Sequence, residues 1–428
     1  MRVEPASALV GHIAVPGDKS ISHRAVLLGA VADGETRIRG FGRSADTESS
    51  VAAVRALGIE VFDGGEDELT VFGRGLRGLR APAGPVDCGN SGTTIRLLAG
   101  ILAGQSGRFV LTGDASLSAR PMERIAEPLR RMGVAVETTD GTPPLTIEGG
   151  EVQATSYKLP VASAQVKSAT LLAGLFAPAG DTTTVVEETP TRDHTELMLE
   201  AAGVPVQRRP TSASVRGVER LHLGEVLVPG DFSSAAPFIV AATLVPGSEL
   251  YVHGVGVNPR RTGLLDVLER MGARITLFNK RRVGGEPVAD VEVRSAPLVA
   301  GTVSAAEIPR MIDELPLLGL AATFARGDTR VRGAEELRFK ESDRIAGVVE
   351  AIRKLGGHAW ELEDGFKVTG VPTRPRGGRL RSHGDHRLAM LGAVAGVASR
   401  EGVEVEDAES VAVSFPSFFE LLDVAARR

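Results

Sequence analysis

The sequence predicts an α/β protein assembled from six copies of one supersecondary unit. Three observations lead there. Turns marked by glycine or polar residues open helices of small apolar residues: Leu27-Leu28-Gly29-Ala30, Leu97-Leu98-Ala99-Gly100 and Leu171-Leu172-Ala173-Gly174. Each such helix meets a Gly or Asp break and a β-branched strand, and a second, amphipathic helix follows. The composition, 51 Gly and 24 Pro with only 4% aromatic residues, favours tight turns and close helix packing.

The first copy runs from Pro16-Gly17-Asp18 through the helix to Gly34-Glu35-Thr36-Arg37-Ile38, and the second from Gly89-Asn90-Ser91-Gly92 to Phe109-Val110-Leu111. The third opens at Ser163-Ala164-Gln165 and reaches Thr183-Thr184-Val185. Pro229-Gly230-Asp231, Asp313-Glu314-Leu315-Pro316 and Gly384-Asp385-His386-Arg387 open the other three. The spacing is roughly 70 to 80 residues, longer than that of short solenoid repeats. Second helices are expected at 51–57, 125–132, 197–202, 264–271 and 345–355. They stop at Gly58, Gly133, Gly203, Gly272 and Gly356. Ile345, Val348, Val349, Ile352 and Leu355 form an apolar stripe at helical spacing. The two Pro-Gly-Asp turns lie about half the chain apart. Six copies therefore divide into two halves of three, joined by short crossovers near those turns.

With 428 residues and 43% hydrophobic content, the chain can bury two or three cores. A net charge of −5 argues against a general nucleic-acid-binding surface. The single cysteine, Cys88, excludes an intramolecular disulfide framework and fits a reducing compartment. Residues 1–17 show no secretory signal, and no apolar run approaches about 18 residues. The expectation is a cytoplasmic, monomeric protein with small-molecule partners, no nucleic acid and no membrane.

Function is written in what the helix starts carry. They hold Lys19, Ser20 and Arg24; then Asn90, Gly92, Thr93 and Arg96, with Arg120 ahead of the next helix; then Ser163, Gln165 and Lys167, with Arg192 following. The later copies add Asp313, Glu314, Lys340, Glu341, Ser342, Asp343 and Arg344, then Asp385, His386 and Arg387. Amide-rich helix starts attract anions, and a cation in the first turn opposes the helix dipole. Seven or eight cations recurring at equivalent starts call for a small polyanion, such as a phosphate with carboxylates. Asp313 and Glu341 interrupt the basic set. Each could be structural, Asp313 as a helix cap and Glu341 as an ion-pair partner, or each could move protons while held ionised by cationic neighbours. Ser342 is placed to cap its helix. Gly17-Asp18-Lys19-Ser20 lacks the spacing of a Walker loop. His383 and His386 have no third metal ligand nearby in sequence, and Cys88 reads as a packed residue rather than a nucleophile.

The motifs at 16–24, 89–96, 118–122, 163–168, 191–195, 340–344 and 384–387 resemble the 5-enolpyruvylshikimate-3-phosphate synthase family, in the family's order along nearly the whole chain. The resemblance implies a two-domain inside-out α/β barrel with three βαβαββ units per domain and ligands in the interdomain cleft. It implies a discontinuous first domain, 1–16 plus 230–428, and a second domain, 17–229. The implied reaction moves the carboxyvinyl group of phosphoenolpyruvate to the 5-hydroxyl of shikimate 3-phosphate, with no metal or organic cofactor.

Carried over by motif, Lys19, Ser20, Arg24, Ser163, Ala164, Gln165, Arg192, Asp313 and Lys340 would bind shikimate 3-phosphate. Lys19, Asn90, Gly92, Arg120, Gln165, Arg344, His386 and Arg387 would bind phosphoenolpyruvate. Asp313, Glu341 and Lys19 would be catalytic. Val413 stands where some members carry a substrate-facing lysine, so the C-terminal segment receives no role. Gly92 leaves the phosphoenolpyruvate side uncrowded and suggests sensitivity to glyphosate. Two rival readings are a carboxyvinyltransferase acting on UDP-N-acetylglucosamine and a non-catalytic phosphometabolite-binding protein. The first carries a loop cysteine where this chain has Gly113-Asp114-Ala115-Ser116-Leu117-Ser118, and Lys-Asn where Lys19-Ser20 stand.

Overall fold

The six leading helices are Lys19–Val31, Gly92–Leu102, Ala164–Gly174, Phe232–Leu244, Leu315–Phe324 and His386–Ala398 in the computed structural model, which describes Met1–Arg428. Five start on a side-chain cap: Asp18 accepts from Ile21 N, Ser91 from Thr94 N, Ser163 from Val166 N, Asp231 from Ser233 N and Asp385 from Arg387 N. Each cap satisfies an amide that the helix itself cannot. In Leu315–Phe324 the cap position is Glu314, with no capping bond from its side chain, and Pro316 occupies the first turn, where no donor is needed. Asp313 is therefore not the cap. These helices are apolar all round because they are buried all round. Every residue of Phe232–Leu244, Leu315–Phe324 and His386–Ala398 is buried.

The second helices, Ala45–Ala56, Glu123–Arg131, His194–Ala201, Gly263–Arg270 and Arg344–Lys354, begin one to several residues before the expected apolar stripes. All five end on the expected glycines in the left-handed region: Gly58 (φ 86°), Gly133 (85°), Gly203 (79°), Gly272 (99°) and Gly356 (84°). One capping expectation fails. Asp343, not Ser342, caps Arg344–Lys354, accepting from Ile345 N and Ala346 N; the Ser342 hydroxyl instead donates to Asp385.

Clustering of contacts gives two compact units: Met1–Pro16, Gly230–Arg281 and Pro287–Arg428 form the first, and Gly17–Pro229 with Arg282–Glu286 the second. The hairpin tip 282–286 thus departs from the expected boundaries, which assigned everything after 230 to the first domain. Each unit has its own apolar core.

In the second unit, three four-stranded sheets repeat one pattern. The orders are Glu225–Leu227, Asp33–Arg39, Glu68–Arg74, Glu60–Asp63; then Val86–Asp87, Gly107–Thr112, Thr142–Gly149, Ala135–Thr139; then Ser156–Lys158, Thr182–Val186, Ser212–Arg216, Val206–Arg209. The first pair of each is parallel and the remaining pairs are antiparallel. In the first unit, Thr302–Val303, Gly327–Val331, Gly365–Gly370 and His358–Leu362 follow the same rule. Ala8–Ala14 runs parallel to Glu249–Gly256, and Gly378–Arg381 runs parallel to Val403–Glu406, whose other edge takes Arg2–Val3 antiparallel. The chain start therefore supplies strands to the fourth and sixth copies. Where a second helix would follow in the sixth copy stand a 3-10 turn, Ala408–Val413, and a short helix, Phe418–Ala425.

The two Pro-Gly-Asp turns are built reciprocally. Asp18 N donates to Pro229 O (2.7 Å), and Asp231 N donates to Pro16 O (2.8 Å). Gly17 is obligatory, since a Cβ there would lie 1.7 Å from Gly40 O.

Candidate active site

In the second unit, Lys19 opens its helix and its ammonium meets Asp46 Oδ2 at 2.6 Å. Burial works against ionising Asp46, but the Lys19 ammonium, with His23 and a hydrogen bond from Ser91, prevails and holds the carboxyl at about 2. His23 behind it is buried. Burial drives its imidazole down to about 3, opposed by Asp46 and helped by Lys19 and Arg24. It is therefore neutral, with Nδ1 2.8 Å from Ser50 Oγ.

Arg24 is held by neutral oxygens. Nε donates to Thr195 Oγ1 (2.7 Å), Nη2 to Ser168 Oγ (2.9 Å) and Nη1 to Ser20 O (2.8 Å), the carbonyl one turn back. Burial lowers its pKa to about 10, despite Glu196, Asp18 and Glu286; Arg192, close enough to act on it, lowers it further. Arg24 and Arg192 thus lie close together, where the sequence leads one to expect cations for an anion. Lys167, counted there among the cations, does not belong to that surface. Its side chain is fully buried and pairs with Glu187 (3.1 Å) and Glu196 (2.8 Å).

A second cluster forms around Gly92. Arg120 Nη2 donates to Asn90 Oδ1 (2.7 Å), and Asn90 Nδ2 to Asp114 Oδ2 (2.6 Å). Arg96 Nη1 donates to Gln165 Oε1 (2.8 Å), whose Nε2 reaches Thr93 Oγ1 (3.1 Å). A Cβ on Gly92 would lie 2.7 Å from Arg96 Nη1 and 3.1 Å from Arg120 Nη1, so glycine is what lets both guanidinium groups stand there. Asn90, Gly92, Arg120 and Gln165 are brought together as expected. Arg96, on the same helix, was named among the helix-start cations but given no ligand, and Asp46 was not singled out at all. The signal for Asp46 was its place, with Glu48, in the first turn of a helix with a capping box at Ser44 and Thr47.

In the first unit, Arg344 is the organising group. Its side chain is 2% exposed. Nε donates to Asp385 Oδ2 (2.8 Å), Nη2 to Glu341 Oε2 (2.6 Å) and to Asp385 Oδ1 (3.3 Å), and Nη1 to Asp313 Oδ1 (3.5 Å). Burial opposes ionisation of Asp385, but Arg344 foremost, then His386, pulls its pKa down. Lys340 sits among the same groups. Burial lowers its ammonium, and Asp313, Glu336 and Glu341 oppose that while Arg344 assists it. Arg387 Nη1 donates to Ser233 O (3.3 Å). Asp385 and the buried Arg261, which donates to Asp231 Oδ1 (2.8 Å) and Ser233 Oγ (2.9 Å), are further members not singled out as site residues. Cys88 is fully buried, and burial pushes its thiol pKa up.

Residues 3–422 match the family described as EPSP synthase (3-phosphoshikimate 1-carboxyvinyltransferase). A 3-phosphoshikimate 1-carboxyvinyltransferase of Alkalilimnicola ehrlichii is 52% identical over 421 residues, covering 98% of this chain and 94% of the relative. The chain belongs to the EPSP synthase family. A second relative of that name, from Acidithiobacillus ferrooxidans, is 51% identical over 416 residues, 97% of this chain and 95% of its own. The structure of EPSP synthase from Acinetobacter baumannii superposes with a TM-score of 0.88 at 43% identity, covering 99% of this chain and 97% of that one. The enolpyruvyl transferase NikO from Streptomyces tendae shares the two-domain fold, with a TM-score of 0.79 at 21% identity over 99% of this chain and 96% of its own.

Proposed function

We infer that the chain transfers the carboxyvinyl group of phosphoenolpyruvate to the 5-hydroxyl of shikimate 3-phosphate and releases inorganic phosphate, in keeping with its family and the names of its relatives. The observation that carries the chemistry is the gathering of Asp313 and Glu341 on one buried guanidinium, Arg344. A pure anion binder gains nothing from carboxylates held there. Asp313 takes the proton of the 5-hydroxyl as its oxygen bonds to C2 of phosphoenolpyruvate. Glu341, with Lys19, delivers a proton to the methylene carbon, giving a tetrahedral ketal phosphate. The C2–phosphate oxygen bond then breaks, the methyl group returns a proton, and phosphate leaves.

In the second unit, Lys19, Ser20, Arg24, Ser163, Ala164, Gln165 and Arg192 serve shikimate 3-phosphate, and in the first, Asp313 and Lys340. Phosphoenolpyruvate is assigned to Lys19, Asn90, Gly92, Arg120 and Gln165 in the second unit and to Arg344, His386 and Arg387 in the first. Arg96, hydrogen-bonded to Gln165, joins that group. Clamping both reactants in one orientation supplies much of the rate. The UDP-N-acetylglucosamine reading is disfavoured by the relatives' names and by the burial of Cys88, the chain's only cysteine.

Purified protein is expected to release phosphate only when shikimate 3-phosphate and phosphoenolpyruvate are both present. Turnover with UDP-N-acetylglucosamine instead would overturn the reading. Inhibition by micromolar glyphosate in the same assay belongs to the proposal, and resistance at that level counts against it. No helix is long and apolar enough to cross a membrane. A cytoplasmic monomer completes the reading, checked by cell fractionation and by light scattering at the mass of one chain.

A further inference from the structure

Lys167 has the sequence position of a ligand-binding cation and the surroundings of a structural one. It lies in the first turn of Ala164–Gly174, and its side chain is 0% exposed. Its three ammonium protons have three partners: Glu187 Oε1 (3.1 Å), Glu196 Oε1 (2.8 Å) and Thr191 O (3.3 Å). Glu187 follows the strand Thr182–Val186, and its other oxygen accepts from Thr191 N (3.1 Å) and Thr191 Oγ1 (2.6 Å). The amide, hydroxyl and carbonyl of Thr191 are therefore all held by one buried ion pair.

Arg192 comes next in the chain. On its far side Asp193 is buried and accepts from Arg208 Nη1 (3.2 Å), so the half-buried Arg192 projects from a loop pinned at both neighbours. The adjacent residue on the Lys167 helix, Ser168, accepts from Arg24 (2.9 Å) and from the Thr195 hydroxyl (2.7 Å). One helix turn thus braces Arg24 directly and the Arg192 loop through Thr191. A fully buried ammonium with two carboxylates is poor value for stability alone, since apolar side chains of similar volume do as well or better. What such a cluster can supply is a fixed geometry.

We propose that Lys167 and Glu187 are positioning residues for Arg192, clamping Thr191 so that the neighbouring guanidinium is aimed at the phosphate of shikimate 3-phosphate. The proposal rests on the assignment of Arg192 to that phosphate made above. Lys167 touches no ligand; it acts through Thr191.

The test is steady-state kinetics on Glu187→Gln, Thr191→Val, Lys167→Met and Arg192→Ala, each with a thermal melt. Glu187→Gln and Thr191→Val change little volume and keep the test alive if Lys167→Met does not fold. The expected result is a KM for shikimate 3-phosphate raised about tenfold or more in the folded clamp variants, because small misplacements of an orienting group are costly. The KM for phosphoenolpyruvate should stay within about twofold. A merely structural cluster would lower the melting temperature and leave both KM values alone, which overturns the proposal. Arg192→Ala separates the two ways of failing. If it weakens shikimate 3-phosphate while Glu187→Gln and Thr191→Val do not, positioning alone is wrong. If it leaves that KM unchanged, the assignment of Arg192 falls, and the proposal with it.

Discussion

Arg24 and Arg344 are both buried near helix starts, and they are held in opposite ways. Arg24 is gripped by two hydroxyls and a carbonyl, neutral oxygens that fix its position without cancelling its charge. Arg344 is gripped by three carboxylates, and its charge is spent on them. A guanidinium braced by neutral acceptors keeps its field for an incoming anion. One braced by carboxylates organises those carboxylates instead. In the proposed reaction the difference separates anion holding from proton transfer.

The largest expected effect tests that separation directly. Asp313→Asn should lower kcat by about a hundredfold or more, the usual scale for an acid–base group, with shikimate 3-phosphate affinity by calorimetry changed by no more than a fewfold. Intact turnover would remove the chemical half of the contrast. Next comes stability. Arg344→Met strands Asp385 (0% exposed) and its two carboxylate companions, which should cost about 3–5 kcal/mol in denaturant unfolding, as for other broken buried pairs. Arg24→Met leaves only neutral oxygens unpaired, and about 1–3 kcal/mol is expected. Equal losses would show that the two arginines are braced alike after all.

The last test reads a slope with pH rather than a single loss, and it concerns the neutral surroundings of Arg24. His23 titrates near 3 when folded, against an ordinary 6.5, because burial excludes its charged form. The unfolded chain therefore binds more protons between those values, and stability falls as pH drops from about 6.5 towards 3. The slope is at most about 1.4 kcal/mol per pH unit for one group. Asp46 works in a separate window. Its folded value near 2 against 3.8 stabilises above pH 3.8, and that contribution is lost on acidifying towards 2. His23→Asn should flatten the dependence of melting temperature on pH between 6.5 and 4. An unchanged slope there would mean that His23 is charged in the folded protein.

Local signals made the repeats legible. The leading helices and the five terminating glycines depend on neighbours within a turn and lie where the sequence put them, while the second helices start earlier and the caps offered at Ser342 and Asp313 are not used. What pairs across distance was not legible. Nothing near Lys167 announces that Glu187 and Glu196 lie beneath it, so its place at a helix start counted it, like Lys19, among the cations for an anion. Asp385 was noted only at a helix start, not as the group that fixes Arg344. Arg261 escaped because its partner, Asp231, was read only as a turn residue.

The pairing of Arg2–Val3 with Val403–Glu404 has a consequence for how the molecule is made. Residues 17–229 emerge from the ribosome as one uninterrupted run and contain nearly all of the second unit, so this half can close while translation continues. The strands that precede residue 17 must wait. Ala8–Ala14 finds its parallel neighbour only once Glu249–Gly256 has appeared, and Arg2–Val3 only once Val403–Glu406 has followed. A segment made before the whole second unit is thus placed only after that unit is complete.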